Sequence, residues 1–225
     1  MIVHDIDQAF GCVKAALAGS GKSYKQICDK SGVSIPTFRQ WTNGNSTGAR
    51  LDSRQGKVAG FLGTCGLVSC VNVLRMAGIR ETEQNVVAYA RNTRSGRHGT
   101  PLCSVGSFFA ENNGATNAED RNEILARYGV HSVALPAVTK DIADYVEKGH
   151  GVILSVHANM LYHGYTAGND LHAVTVTSTH RSADGTLLGF YLCDSNGESD
   201  AYYTASELNA ALSGRKMNVT TGIIR

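Results

Sequence analysis

Residues 63–74 read GTCGLVSCVNVL and place Cys65 near the start of an apolar run, with a glycine on either side. Apolar residues from Leu67 to Leu74 recur at helical spacing, which predicts a helix that begins at Cys65 and ends at Gly78. A thiol in the first turn of a helix lies near unpaired backbone N–H groups and the positive end of the helix dipole. Both favour the thiolate over the thiol, so Cys65 is a candidate nucleophile.

Two β-rich stretches downstream carry a histidine and an aspartate. Residues 171–176 read LHAVTV and residues 189–196 read GFYLCDSN, with a turn sequence at 183–185 between them, which predicts a hairpin. His172 begins the first strand and Asp194 ends the second, so we expect the two to lie roughly level across the hairpin.

Acyl transfer by cysteine needs a thiolate, a proton shuttle beside it and a group that orients the shuttle. Taken singly, Cys65, His172 and Asp194 are most simply a buried thiol, a hydrogen-bonded histidine and a turn residue. Their order and spacing together favour a catalytic triad. For the oxyanion we expect the Cys65 backbone N–H and the amide of Gln55, which is alternatively an idle surface residue.

Helical patterns precede residue 130 and strand patterns follow it, which predicts an α+β protein with a cleft between the halves. A turn cluster at residues 43–48 divides a helical segment, 1–44, from a catalytic domain, 45–225. Predicted helices in the first half of that domain, besides the one at Cys65, are Glu81–Arg91, Leu102–Glu111 and Glu119–Tyr128.

Composition describes an ordinary globular protein: 225 residues, 42% hydrophobic, 18% charged and a net charge of +2. Such a charge does not favour binding to nucleic acid or to a membrane surface. The six cysteines are widely scattered, which favours a reducing compartment, and no Cys/His spacing typical of a metal site occurs, so we expect neither metal nor cofactor. Without a Sec signal peptide or a membrane-spanning run, we expect the chain to act in a cytosol, its own or that of a target cell.

Residues 63–196 resemble the bacterial papain-like cysteine enzymes in the three motifs quoted above. The resemblance implies a papain-like fold, with the nucleophile at a helix N-terminus in the helical half and an antiparallel sheet in the C-terminal half. It implies Cys65 as nucleophile, His172 as general base and acid, and Asp194 as orienting residue. The family often places its oxyanion glutamine closer to the cysteine than Gln55 stands.

The chain looks most similar to the papain-like domains of polymorphic toxins and secreted effectors. That branch implies proteolysis, glutamine deamidation or transglutamination of a target protein or peptide through a thioester, and a cognate immunity or activating protein as partner. A phytochelatin-synthase-like transpeptidase is the alternative enzyme.

Residues 24–41 carry a second pattern, that of a helix-turn-helix with Gly32 at the turn. DNA binding is therefore the rival function, although no basic stripe supports contact with phosphates. A catalytically inert binding module is the other alternative.

Overall fold

The computed structural model of the protein describes residues 51, 54–162, 171–196, 198–212 and 214–224. These residues belong to the second of two units into which the chain divides, Arg50–Arg225. The helical segment expected at 1–44, with its helix-turn-helix pattern, lies outside the described residues and stays a prediction, as does the boundary at residue 45.

Six α-helices occur in the described part of the chain, together with a short 3-10 turn at Ala110–Asn112. In chain order they are α1 (Cys65–Met76), α2 (Glu83–Asn92), α3 (Ala118–Arg127), α4 (Thr139–Glu147), α5 (Ala158–Leu161) and α6 (Ala205–Ala211). None of them is long and apolar enough to cross a membrane.

The strands form one antiparallel sheet in the order β1-β6-β2-β3-β4-β5. They are β1 (Ser132–Pro136), β2 (Val152–His157), β3 (Leu171–Arg181), β4 (Leu187–Asp194), β5 (Glu198–Thr204) and β6 (Lys216–Thr220). The prediction of a fold that mixes helices with an antiparallel sheet is therefore confirmed, although α4, α5 and α6 come between strands along the chain.

Helices cover both faces of this sheet, because successive residues of a strand point to opposite sides. On one side, Ile153 of β2 and Ala173 of β3 join the cluster built by α1, α2 and α3. On the other, Leu154 and Val174 join the cluster with α4 and α6. The central strands β2 and β3 are thus buried on both faces, and α1 is held firmly against β3.

The segment 102–111 is not the predicted helix. Gly106 has φ +77°, outside the range of a right-handed helix, and interrupts the segment. The chain is held instead by loop bonds, in which the Ser104 N–H donates to the Ala115 carbonyl and the Ser107 N–H donates to the side chain of Asn113. Apolar residues do recur in this segment at helical spacing, but Phe108 and Phe109 do not join the core, because their side chains are 95% and 62% exposed.

Candidate active site

Cys65 is the first residue of α1, and the residue before it gives the helix no side-chain cap. Thr64 occupies the N-cap position, but its side chain makes no bond to the first turn of the helix. Its hydroxyl donates instead to the buried carboxylate of Glu83, and it accepts from the Gly56 N–H at 3.1 Å. The N–H groups of the first turn of α1 are left without a side-chain cap, so they remain available to an anion beside Cys65.

The predicted pairing of His172 with Asp194 is present in the structure. His172 Nε2 lies 2.9 Å from Asp194 Oδ1, with side chains only 5% and 3% exposed. His172 and Asp194 do not lie directly opposite each other across the hairpin. Thr175 pairs with Cys193, so the same register places Asp194 opposite Val174. The contact is therefore diagonal, two residues along β3.

The Cys65 thiol hydrogen-bonds to His172. Since Asp194 occupies Nε2 of the ring, Nδ1 is the nitrogen left for the sulfur. Burial would raise the pKa of Cys65, but the bond and charge of His172, helped by the Ala173 backbone and the charge of Arg121, hold that pKa below its ordinary value. Burial would lower the pKa of His172, but the bonds to Asp194 and Cys65 outweigh it and raise the pKa to about 10. The two directions favour a thiolate–imidazolium pair at neutral pH.

Gln55 lies at the same cavity as Cys65, although ten positions separate the two in the sequence. Its backbone N–H donates to the Ser195 carbonyl at 3.0 Å, and its side-chain oxygen accepts from the Ser195 hydroxyl at 2.8 Å. Its amide nitrogen donates to the Leu62 carbonyl at 3.1 Å. That bond uses one of two N–H groups, and within the described residues the second has no partner.

Tyr162 is part of the site and was missed by the sequence analysis. Its hydroxyl donates to Asp194 Oδ2, while the Asn196 backbone N–H donates to Asp194 Oδ1 at 2.9 Å. Burial would raise the pKa of Asp194, but the bond and charge of His172, together with these bonds, hold it below its ordinary value. No signal in the sequence connects Tyr162 with the distant residue 194. The helix that precedes Tyr162, α5, is only one turn long, so no periodic pattern indicates which way the Tyr162 side chain faces.

Arg121 is a second residue that sequence reasoning missed, although a signal was available. It lies at helical spacing between Ala118 and Leu125 of α3, both buried, and is itself only 2% exposed. A charged residue on the apolar face of a helix is unusual enough to suggest a function.

A cavity of about 490 Å³ lies beside Cys65 and His172, and Gln55, Thr116, Arg121 and residues 214–216 contribute to its wall. In the described part of the chain no three His, Cys, Asp or Glu side chains are grouped so as to hold a metal ion.

A helix that begins with a half-buried cysteine, packed against an antiparallel sheet carrying a His–Asp pair, is the arrangement of the papain-like cysteine peptidases. The Peptidase C39-like family matches residues 32–213, and the chain belongs to this family. A search of the curated proteins finds no match.

One solved structure supports the fold, and two others are less similar. A putative C39-like peptidase from Bacillus anthracis is 12% identical, with a TM-score of 0.55 over 79% of this chain and 96% of its own. A double-glycine-motif protease from an AMS/PCAT transporter, solved with its leader peptide, is 14% identical at a TM-score of 0.47, over 76% of this chain and 92% of its own. The peptidase domain of Streptococcus ComA, a bifunctional ABC transporter, is 10% identical, with a TM-score of 0.48 over 75% of this chain and 97% of its own. At TM-scores below 0.5, the last two add nothing to the fold assignment.

Family membership indicates a cysteine peptidase. Family membership gives no indication of the toxin and effector branch, of deamidation or transglutamination, or of an immunity partner. These stay predictions.

Proposed function

We propose that this protein is a cysteine peptidase that hydrolyses peptide bonds through a thioester on Cys65. The Cys65 thiolate attacks the substrate carbonyl carbon, and the oxyanion that forms accepts hydrogen bonds from the Cys65 backbone N–H and the Gln55 amide. As the C–N bond breaks, His172 gives its proton to the leaving amine. His172 then takes a proton from water, which attacks the thioester and releases the acid and the thiolate. Asp194 orients the imidazole throughout.

One observation carries this proposal: a thiol with a lowered pKa hydrogen-bonded to a histidine with a raised pKa, at the wall of a cavity. A structural cysteine has the opposite character. Cys70 and Cys103 are buried, and their pKa values are raised to about 12 and about 11. The difference between the three thiols makes the proposal testable without a known substrate.

The first test is alkylation by iodoacetamide at pH 7, with each cysteine followed by peptide mass spectrometry. Cys65 should react faster than Cys70 and Cys103 by at least about tenfold, because only the thiolate is nucleophilic. The His172→Ala variant should lose this selectivity, whereas His131→Ala, which removes an exposed histidine, should keep it. Slow and equal modification of the three thiols in the wild-type protein would reject the proposal.

The second test identifies the reaction. A library of synthetic peptides is incubated with the wild-type protein and with Cys65→Ala, and products are read by intact mass. Chain cleavage that requires Cys65 supports the peptidase. A gain of about one dalton without cleavage would mean deamidation, and cross-linked adducts would mean transglutamination, since all three proceed from the same thioester.

A further inference from the structure

The cavity beside Cys65 contains a buried arginine, Arg121, that forms no ion pair with a carboxylate among the described residues. Arg121 Nε donates to Asn218 Oδ1 at 2.8 Å, and its Nη2 donates to Ser155 Oγ at 2.5 Å. Both acceptors are neutral. The two acids that precede it in α3 are engaged elsewhere, Glu119 with Lys216 and Asp120 with His98. Within the described residues no carboxylate forms an ion pair with Arg121, although its burial carries a large desolvation cost.

Two hydroxyl groups of the same cavity also have unused donors. Thr116 Oγ1 is buried without a hydrogen-bond partner in the part of the chain that the structure describes. Ser155 Oγ accepts from Arg121, and its own O–H has no acceptor among the described residues. Thr116, Ser155 and Arg121 all contribute to the cavity wall. Two hydroxyl donors without acceptors, beside a guanidinium without a carboxylate partner, are the complement of an anion with several acceptor oxygens.

These donors lie next to the nucleophile. A Cβ built on Gly66, the residue that follows Cys65, would stand 2.1 Å from Thr116 Oγ1 and 3.3 Å from Arg121 Nη1. The Arg121 guanidinium and the Thr116 hydroxyl therefore converge on the one turn of backbone that carries the reacting sulfur.

The charges around the cavity favour an anion as well. Its wall includes Arg121, Arg215 and Lys216, against Glu111 and Glu119. Residues of the first turn of α3 also line it, and this end of a helix carries partial positive charge. With Glu119 neutralised by Lys216, the net charge of the wall is positive.

We propose that Arg121, Ser155 and Thr116 form a subsite that binds the carboxylate of an aspartate or glutamate side chain close to the scissile bond of the substrate. This rests on the peptidase function proposed above, and it makes acidic peptides the preferred substrate class. The guanidinium supplies a charge-assisted bond, and the two hydroxyls donate to the remaining carboxylate lone pairs.

The experiment uses pairs of peptidyl acyloxymethyl ketones that differ only by glutamate against glutamine at one position, with each position near the electrophile tested in turn. Both members compete for Cys65 in one tube, and the ratio of adducts is read by intact mass. At one position the glutamate probe should react about 10- to 100-fold faster, the range expected for a hydrogen bond to a charged group. In Arg121→Met, which keeps the side-chain volume, the ratio should fall to about one.

Controls separate the subsite from general effects on the thiol. Arg127→Met removes an exposed arginine from the same helix and should leave the ratio unchanged. Ser155→Ala keeps the guanidinium and should reduce the ratio only in part, which also covers the case in which Arg121→Met does not fold. If Arg121 only stabilised the Cys65 thiolate, both probes would react more slowly with Arg121→Met by the same factor. The ratio of glutamate to glutamine adducts would then be unchanged.

Two outcomes overturn the inference: a ratio near one at every position in the wild-type protein, or an acidic preference that persists in Arg121→Met. Failure of the peptidase function has a different signature, because then neither probe modifies Cys65 although the protein is folded. That result would reject the subsite together with the function on which it rests.

Discussion

Replacing Asp194 with asparagine should lower the pKa of His172 while leaving the geometry of the site in place. The carboxamide oxygen can still accept from His172 Nε2, and the Tyr162 hydroxyl remains nearby. A hydrogen bond to a charged group contributes about 1.5–3 kcal/mol and a neutral one about 1 kcal/mol, so the loss is about 0.5–2 kcal/mol. Solvent screening is small because the two side chains are 5% and 3% exposed. At 1.36 kcal/mol per unit, the pKa of His172 should fall by about one unit from about 10.

The assay is an NMR titration of the ¹⁵N-labelled His172 ring in the wild-type protein, in Asp194→Asn and in Asp141→Asn, which removes an exposed carboxylate from α4. Peptide hydrolysis should show the same shift, since its alkaline limb follows loss of the imidazolium proton. Equal titration midpoints in all three proteins would refute the reasoning.

Stability should follow the same linkage. The pKa of His172 is raised on folding, so its contribution to stability is complete below its ordinary value of 6.5 and is lost as pH rises through about 10. Asp194→Asn should therefore be less stable than the wild-type protein by about 0.5–2 kcal/mol at pH 6. In urea unfolding this difference should narrow above pH 10.

Three further substitutions test the supports of the site. Tyr162→Phe removes a hydrogen bond that helps to hold the pKa of Asp194 below its ordinary value. The stability that this carboxylate contributes is lost as pH falls through its pKa, so the variant should begin to unfold at a higher pH than the wild-type protein. Acid unfolding followed by circular dichroism measures the difference. Gly66→Ala should cost about 1–3 kcal/mol in urea unfolding, because the new methyl meets Thr116 Oγ1, and Thr116→Ala in the same chain should recover most of it. Glu83→Gln should cost about 2–3 kcal/mol, since a carboxamide cannot accept all the bonds that the buried carboxylate accepts; an unchanged unfolding midpoint would contradict this.

Local pattern was sufficient where a residue's role depends on its own element. The apolar spacing after Cys65 predicts a helix that begins at that residue, and α1 begins there. The start of α2 is equally local, because the Thr82 side chain at its N-cap accepts from the Asn85 N–H. The pairing of His172 with Asp194 was also within reach, because a hairpin brings distant residues together by a register that its turn sets.

Local pattern failed where long-range contacts override it. The segment 102–111 has helical spacing, but Gly106 and bonds to Ala115 and Asn113 hold it as a loop. The distance between Gln55 and Cys65 along the chain made Gln55 a weak oxyanion candidate. Two bonds to Ser195 bring it to the cavity nonetheless.

The sequence by itself determined which side chains could do chemistry and on which elements they lie, because helix starts and strand alternation are encoded within a few residues. Only the tertiary structure decided how those groups are charged and what surrounds them. The lowered pKa of Cys65 depends on His172 and Arg121, which come from other elements. A pKa is set by burial and by charges a few ångströms away, and such neighbours are fixed by packing rather than by position along the chain.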